Sequence, residues 1–390
     1  MNARSACRTE KIYESDGMCY LFDARVLACE PCPQGFAVEL DRTAFFPEGG
    51  GQHADVGTLN GARVLDVRQI GDRILHLLEA PFPADTAVHG ELDAGVRLSR
   101  MQHHTGEHIV SGLAHRMWSC NNVGFHLGDG EVTADFDVEL TRNQLDALED
   151  EANRVVWRDV AVRAEYPDAA TLAHLSYRSK LALTEGVRIV TVEGVDACAC
   201  CAPHVARTGQ VGLIKILSGI RYKGGTRIFL ACGARALADY REKYRTVDAL
   251  AVHFSVRHEG VSGAVEKLEE SLSATREKYA ALRRDAAERL LIGAEPDAQG
   301  NLLIFTEDLE DAWLRRLSDE GAARCPGICA VFSGTDGQWR YAMASRHVPL
   351  REFAVRFHSA CRGKGGGKDT MVQGSLGASH AEIAHFFSQP

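Results

Sequence analysis

Two histidines stand four residues apart in a segment whose spacing predicts a helix. Residues four apart in a helix share a face, so His104 and His108 in the run QHHTGEH can both ligate one metal ion. Alone, such a pair is more often structural than ligating. A threonine follows His104, where a HExxH metalloprotease carries its general base, so that class is excluded. Glu107 and His103 point away from the shared face, so we expect Glu107 to be a solvated charge and His103 not to be a ligand.

A second group of metal-binding residue types lies about a hundred positions further along the chain. The run CACCAPH from Cys198 to His204 offers two spacings, CxxxH from Cys200 and CxxH from Cys201. One of these thiolates and His204, together with the two helical histidines, would form a set of one sulfur and three imidazoles. Such a set suits tetrahedral Zn²⁺. The alternative is a run of buried thiols beside a turn, and the spacing alone does not choose between the two cysteines.

The segments around these residues predict the elements that must position them. Between residues 20 and 93, short alternating stretches separated by glycine turns predict a small β-barrel or sandwich. From Val96 the apolar positions follow helical spacing, and a second helix is expected to begin at Thr141, a suitable N-cap residue. Valine- and isoleucine-rich runs then predict strands, with a hairpin at Gly224-Gly225. These strands cover residues 187–192, 213–217 and 227–231.

The last part of the chain differs in composition. Between residues 240 and 292 charge density rises, and apolar positions recur in steps of four and three, which predicts a helical arm or hairpin. The sequence therefore predicts an α+β multidomain protein. Its expected parts are a small β-barrel (1–95), a zinc-binding α+β domain (96–240), a helical arm (241–292) and a C-terminal glycine-rich α/β domain (293–390).

Composition excludes several classes of protein. The 390 residues are 45% hydrophobic and 25% charged, which excludes a disordered or collagen-like chain. No apolar run approaches the roughly 20 residues of a membrane span, and the N-terminus lacks the apolar core of a secretory signal, so a cytoplasmic protein is expected. The 12 cysteines are then expected to be reduced thiols or metal ligands. A net charge of −9 argues against coating nucleic acid by bulk charge.

Further motifs resemble those of a known family. The stretch TAFFPEGGGQ from Thr43 to Gln52, followed by Asp55 and Gly57, is similar to the TxFYPEGGGQxxDxG signature of alanyl-tRNA synthetase editing regions. HTGEH resembles the family's HTAxH, and CCAPH resembles its CGGTH. Three later segments also resemble family motifs. Residues 205–212 resemble HVxxTGxIG, residues 225–228 resemble GVRRI, and residues 365–374 resemble the glycine-rich end of the DHH-associated domain. The matches keep their order along the chain, which resembles the long form of the free-standing alanyl-tRNA editing proteins, AlaX.

The resemblance implies a function and a ligand set. The family hydrolyses Ser-tRNA(Ala), and often Gly-tRNA(Ala), in trans. Because the chain begins at the barrel, no ATP-using synthetase core is expected. The resemblance implies one Zn²⁺ per chain, held by His104, His108, Cys200 and His204, with the family spacing favouring Cys200 as the sulfur ligand. Whether the metal is catalytic or structural stays open, because four protein ligands would close the site.

The resemblance also assigns roles in catalysis and substrate binding. The Thr43 hydroxyl is suited to hydrogen-bond the seryl side chain, and Gln52 to hold water or substrate; the alternatives are an ordinary strand threonine and a turn-satisfying amide. Gly50 and Gly51 would allow close approach of the tRNA end, or merely form a tight turn. Phosphate contacts are expected from Arg207, Arg227, Lys364 and Lys368, for which a solvated surface charge is an equal alternative. A homodimer through the C-terminal region is also expected.

One departure from the family pattern leaves other functions open. CCAPH lacks both glycines and the threonine of CGGTH, and Pro203 removes a backbone donor from the loop. The altered loop would also fit a non-catalytic tRNA-binding protein that has kept the editing fold. A third hypothesis is a redox or metal sensor that uses Cys198, Cys200 and Cys201.

Overall fold

The chain folds as a mixture of helices and β-sheets in two compact units. The computed structural model describes residues 9–128, 130–179 and 186–389, and it divides the chain into Met1–Ala249 and Leu250–Pro390. The mixed α and β character expected from the sequence is confirmed. The finer division into four domains stays a prediction.

The first unit begins with a closed β-barrel. The elements of this part are β1 (Glu10–Lys11), α1 (Ile12–Ser15), β2 (Leu21–Cys32), β3 (Gly35–Leu40), β4 (Arg42–Thr43), β5 (Gly57–Leu59), β6 (Ala62–Ile70), β7 (Arg73–Leu78) and β8 (Ala87–Leu92). The barrel closes in the order β2-β3-β7-β6-β5-β8, and the short β1 and β4 pair in parallel. Side chains alternate between exposed and buried along β8, as expected of strands that enclose a core. Val26, Val38 and Leu40 are among the buried residues that fill it.

Helices and two further sheets complete the first unit. Their elements are α2 (Ala94–Trp118), β9 (Asn122–Leu127), β10 (Val132–Phe136), α3 (Arg142–Arg158), β11 (Val162–Glu165), α4 (Ala169–His174), β12 (Ile189–Val192), β13 (Asp196–Ala199), β14 (Ile214–Tyr222), β15 (Gly225–Cys232) and α5 (Gly233–Phe254), which crosses the division between the units. One sheet has the order β14-β15-β10-β9 and the other β11-β12-β13. A single apolar core joins α2 and α3 to the first of these sheets.

Local sequence signals account for several of these boundaries. The Asp93 side chain accepts from the Val96 N–H and caps α2, and Thr141 forms a capping box with Gln144 at the start of α3. The hairpin between β14 and β15 turns at Lys223 and Gly224, which have φ angles of 48° and 82°. Two successive positive φ angles are typical of the tight turn that matches strand twist.

The second unit contains a long helix and a five-stranded sheet. Its elements are α6 (Val261–Ile292), β16 (Leu302–Thr306), α7 (Asp311–Ala322), β17 (Cys329–Thr335), β18 (Gln338–Ala344), α8 (Leu350–Ala360), β19 (Lys364–Lys368), β20 (Met371–Leu376) and α9 (His380–Ser388). The sheet order is β16-β17-β18-β20-β19, with β16 and β17 parallel and the other pairs antiparallel. The apolar positions Leu268, Leu272 and Leu282 of α6 are exposed. Among the described helices, none is both long and apolar enough to cross a membrane.

The glycine-rich segment of the second unit is an edge strand. A Cβ atom at Gly365 or Gly367 would lie 2.2 or 2.1 Å from a carbonyl oxygen of β20. Glycine is therefore required because the two backbones approach too closely for any side chain. Lys364 and Lys368 stand at the two ends of this strand and are exposed.

A buried ion pair joins the barrel segment to α2. The guanidinium of Arg97 donates to the Asp55 carboxylate, and both side chains are only 1% exposed. Arg97 also donates to the backbone carbonyls of Ala44 and, at 2.9 Å, Gly17, while the Phe46 N–H donates to Asp55 at 2.7 Å. These bonds tie the start of the TAFFPEGGGQ segment, and Asp55 three residues after its end, to the first turn of the helix.

Replacing one partner of this pair should destabilise the first unit strongly. Asp55→Ala leaves a buried guanidinium without a counter-charge, and we expect a loss of about 3–5 kcal/mol in the free energy of unfolding. Glu139→Ala, which removes an exposed pair with Arg221, is the control and should cost at most about 1 kcal/mol. Denaturant titration of both variants measures the difference. Equal, small losses would show that the buried pair does not hold the segment to the helix.

Candidate metal centre and groove

Three imidazoles and one thiol converge beside α2. The ligand atoms of His104, His108, Cys200 and His204 all lie within 4.8 Å of one another. The Cys200 Sγ is 3.5 Å from His104 Nε2 and 3.3 Å from His204 Nε2. In a tetrahedral zinc site, ligands at the usual bond lengths are about 3.5 Å apart, so the spacing fits Zn²⁺. The structure therefore brings together the ligand set expected from the sequence, with Cys200 rather than Cys201 as its sulfur.

The second nitrogen of each imidazole faces a residue outside the ligand set, through a hydrogen bond for His104 and His204 and through a charge contact without hydrogen-bond geometry for His108. His104 Nδ1 is 2.9 Å from Gln52 Oε1, and His204 Nδ1 is 3.0 Å from the Thr105 hydroxyl. His108 Nδ1 lies 3.2 Å from the Asp196 carboxylate. In all three rings Nε2 is left for a metal. Such outer partners fix the tautomer and the ring orientation of metal-binding histidines.

The pKa shifts in the centre favour metal binding at Cys200 and His204 but oppose it at His108. Burial raises the pKa of the Cys200 thiol, but the nearby His104 and His204 lower it by more, so that it lies well below its usual range. Burial lowers the pKa of His204 to about 3, so this imidazole is neutral and its lone pair is available. Burial also opposes ionisation of Asp196, yet Arg178 and His108 hold its pKa at about 2. Burial lowers the pKa of His108, but Asp196 and Cys200 raise it by more, so that it lies well above its usual range. A thiolate and neutral imidazoles are the forms that bind metal, so a metal has to displace the proton of His108.

Arg188 stabilises the altered CCAPH loop. Its guanidinium donates to the carbonyls of Cys200 at 3.1 Å and Ala202 at 2.9 Å, and its backbone carbonyl accepts from the Cys200 N–H at 3.0 Å. The side chain of Arg188 is buried. Since Pro203 cannot donate a backbone hydrogen bond, the loop depends on donors from outside itself. No spacing pattern in the sequence points to Arg188, because its position in the chain is isolated from the other site residues.

The glycine turn packs against the centre from the barrel side. Gly50 and Gly51 have φ angles of 60° and 82°, and a Cβ at Gly51 would lie 2.5 Å from the Phe125 carbonyl oxygen. Glycine is thus required at position 51, and the left-handed backbone angle favours it at position 50. Gln52 is fully buried, and its amide Nε2 has no hydrogen-bond partner among the described residues, while its Oε1 faces His104. Gln52 thereby positions a metal-binding histidine.

Thr43 lies inside the barrel segment, where its hydroxyl forms a hydrogen bond with His76. The Thr43 hydroxyl donates to His76 Nε2 at 2.8 Å and accepts from the Phe45 N–H at 3.1 Å, while His76 Nδ1 donates to the Val38 carbonyl at 3.1 Å. Thr43 is fully buried, and it is not among the residues that line the groove described below. A contact of Thr43 with a seryl group stays a prediction.

The residues expected to bind phosphate lie outside the metal centre, and two of them are paired. Arg207 donates to Asp159, and Arg227 makes two bonds to Asp135, at 2.6 and 2.7 Å, while stacking 3.8 Å over the Tyr222 ring. Lys364 and Lys368 belong to the second unit. Their roles in RNA binding stay predictions.

A large groove of about 1510 Å³ opens along the metal centre. Its walls include His104, His108, Cys200, Gly50 and, from the same helix, Glu107. Pockets for small molecules are typically about 300–1,000 Å³, so this groove has room for a longer substrate.

The expectation for Glu107 was wrong, because this carboxylate is 5% exposed rather than solvated. Helix α2 is buried on nearly all sides, so a residue off the histidine face still meets protein. His103, in contrast, is not a ligand, as expected: its ring bonds the Ser99 carbonyl and the Cys232 N–H.

A family model matches one segment of the chain. Residues 187–229 match the second additional domain of threonyl and alanyl tRNA synthetases. This segment contains the CCAPH loop and three of the strands around it.

Several relatives match most of the chain. The chain is 26% identical to the alanyl-tRNA editing protein Aarsd1 of Danio rerio over 91% of this chain and 92% of that protein. The same protein of Mus musculus is 26% identical over 90% of each chain. An alanine–tRNA ligase of Thermococcus kodakarensis is 33% identical over 73% of this chain, which spans only 32% of the ligase. The predicted resemblance to the free-standing alanyl-tRNA editing proteins is confirmed.

The metal centre predicts a difference between two adjacent cysteines. We expect the purified protein to hold about one zinc ion per chain, and Cys200→Ser to lose most of it, because a hydroxyl is a poor zinc ligand. Cys201→Ser is the matched control, since the exposed Cys201 lies outside the ligand cluster. Metal analysis after dialysis against a mild chelator measures both. Retention by the Cys200 variant with loss from the Cys201 variant would contradict the assignment.

The barrel histidine predicts a dependence of stability on pH. Burial lowers the pKa of His76 to about 4, below the roughly 6.5 of an unfolded histidine. Between these values the unfolded state binds more protons, so the contribution of His76 is fully present above pH about 6.5 and is lost as pH falls toward 4. A shift of about 2.5 pKa units corresponds to about 3 kcal/mol.

His76→Gln keeps a hydrogen-bonding side chain but cannot titrate. Thermal unfolding at pH 7, 6 and 5 should therefore show a smaller acid-induced fall in Tm for this variant than for the wild type. Identical falls would mean that His76 does not contribute to acid sensitivity.

Proposed function

We propose that the chain is a trans-editing hydrolase that removes the aminoacyl group from tRNA(Ala) mischarged with serine. The glycyl ester of tRNA(Ala) is the second candidate substrate. The single observation that carries this proposal is the convergence of one thiol and three imidazole Nε2 atoms on the wall of a groove, with the glycine turn on its other side. The similarity to alanyl-tRNA editing proteins along the whole chain supports the same reaction.

The residues of the chain orient the reacting end of the substrate. Backbone at Gly50 lies at the groove surface, where the absence of a side chain leaves space for the terminal ribose and its ester. The ring of Phe125 lies 5.0 Å from that of His104 and gives the groove an apolar wall beside the centre. Gln52 fixes His104, and Thr105 fixes His204, so the groove wall is rigid before the substrate enters.

Zinc at this centre would organise the groove wall and, where one position is exchangeable, polarise the ester carbonyl or a water molecule. Serine would be preferred over alanine if a buried polar group is satisfied only by the seryl hydroxyl. Thr43 is the residue proposed for that contact. Arg207, Arg227, Lys364 and Lys368 are proposed to meet tRNA phosphates, and the C-terminal region to form a homodimer.

A deacylation assay on three substrates tests the proposed reaction. Zinc-loaded protein is incubated with Ser-tRNA(Ala), Gly-tRNA(Ala) and Ala-tRNA(Ala), and loss of each ester is followed. We expect rapid loss of the seryl ester and sparing of the alanyl ester. The His104→Ala, His108→Ala double variant should lose at least about a hundredfold in rate, because two of the groups that form the groove wall are removed. Full activity in the metal-free double variant would overturn the proposal.

The same assay separates the alternative functions. A protein that binds tRNA(Ala) and zinc but turns over none of the esters would be a non-catalytic tRNA-binding protein. Zinc release coupled to reversible oxidation of Cys198, Cys200 or Cys201 would instead favour a redox sensor.

A further inference from the structure

Glu107 places a carboxylate in the wall of the groove next to the metal centre. It precedes the ligand His108 in α2 and follows the ligand His104 by three residues, and all three line the same groove. Glu107 is buried, with only 5% of its surface exposed. Nothing in the metal centre uses it, because the cluster of ligand atoms does not include it.

One oxygen of this carboxylate is held by two donors. The Ser111 hydroxyl and the Asn122 amide both donate to Glu107 Oε1, and the Asn122 amide also lies 3.1 Å from the Ser111 hydroxyl. Two donors on a single oxygen are the arrangement that an ionised carboxylate accepts. The carboxylate is thus fixed in position, and both donors stabilise negative charge on Oε1.

The other oxygen is left for a ligand. Among the described residues, none donates a hydrogen bond to Glu107 Oε2, and no lysine, arginine or histidine forms an ion pair with it. The guanidinium of Arg178, which lines the same groove, is committed to Asp196 by two bonds of 2.7 Å. Glu107 interacts with Arg178 only at longer range, where it contributes to the raised pKa of that guanidinium. A cationic ligand in the groove would therefore give this buried carboxylate the direct partner that it lacks among the described residues.

We propose that Glu107 is a specificity-determining residue whose carboxylate binds the α-ammonium group of the aminoacyl ester. This inference rests on the proposed function. The α-amino group is the only cationic group of a seryl or glycyl ester, and it is separated from the ester carbonyl by a single carbon. A carboxylate beside the metal centre is therefore placed to hold the ammonium while the ester lies against the centre. Esters whose amino group is acylated, as in peptidyl-tRNA, lack the charge and would be rejected.

The first test changes the substrate and leaves the protein intact. Ser-tRNA(Ala) and N-acetyl-Ser-tRNA(Ala) are compared with the zinc-loaded wild type, and we expect kcat/KM to be at least about tenfold higher for the free amine, the effect typical of a charge-assisted hydrogen bond. Equal values for the two esters would overturn the inference.

The second test removes the charge from the side chain. Glu107→Gln keeps the size of the residue, and we expect about a tenfold loss of kcat/KM on Ser-tRNA(Ala) with little change on the N-acetyl ester. The exposed Glu165→Gln is the matched control and should behave as wild type. Equal losses on both esters, or an unchanged preference for the free amine, would show that Glu107 is only structural. Zinc content and Tm are measured to show that both variants are folded and loaded.

A binding measurement separates this inference from the proposed reaction. Seryl-aminodeoxyadenosine, in which an amide replaces the ester, is titrated against wild type and the Glu107→Gln variant, in free and N-acetylated forms. Tighter binding of the free amine by the wild type alone supports the ammonium site even if no ester is hydrolysed. Equal binding of both forms by the wild type would contradict the proposed ammonium site. The proposed hydrolysis would be unaffected, because the deacylation assay tests it separately.

Discussion

The buried pair between Arg97 and Asp55 is the interaction on which the rest of the first unit depends. It crosses between the barrel segment and α2, and it is formed by two groups that would each be costly to bury alone. Because Asp55 follows Gln52 by three residues and Arg97 precedes His104 by two helical turns, the pair sets the distance between the glycine turn and the helical histidines. The hydrogen bond from His104 to Gln52 can then form without further adjustment of the backbone.

The candidate metal centre is assembled from three separate parts of the chain. Helix α2 supplies two imidazoles, and the loop after β13 supplies the thiol and the third imidazole. Outer partners come from the barrel segment, from β13 and from α2 itself, so each ring is oriented by a different element. This distribution explains how the loop tolerates CCAPH in place of CGGTH. Arg188 binds two loop carbonyls, and the ligand geometry does not rest on the loop's own backbone donors alone.

Much of the fold and the ligand set follow from local patterns. The strand at residues 35–40 and the cap at Thr141 were predictable, because alternation and capping chemistry act within a few residues. The burial of Glu107 was not predictable in this way. Helical spacing places it off the histidine face, but the helix is surrounded by protein, and Ser111 and Asn122 stabilise the charge where solvent was expected. The pairing of Arg227 with Asp135 was likewise not predictable, because only the strand register places the two residues opposite each other.

The sequence by itself determined which residues can ligate a metal, since residue type and a spacing of four on a helix are properties of the chain alone. It also determined the glycine turn, because GGG tolerates backbone angles that other residues avoid. Only the tertiary structure decided which nitrogen of each histidine faces the ligand cluster, which of two adjacent cysteines belongs to that cluster, and that Glu107 is buried in the wall of a groove. These properties depend on burial and on partners from distant segments, and such partners meet only when the barrel and the α+β part pack together.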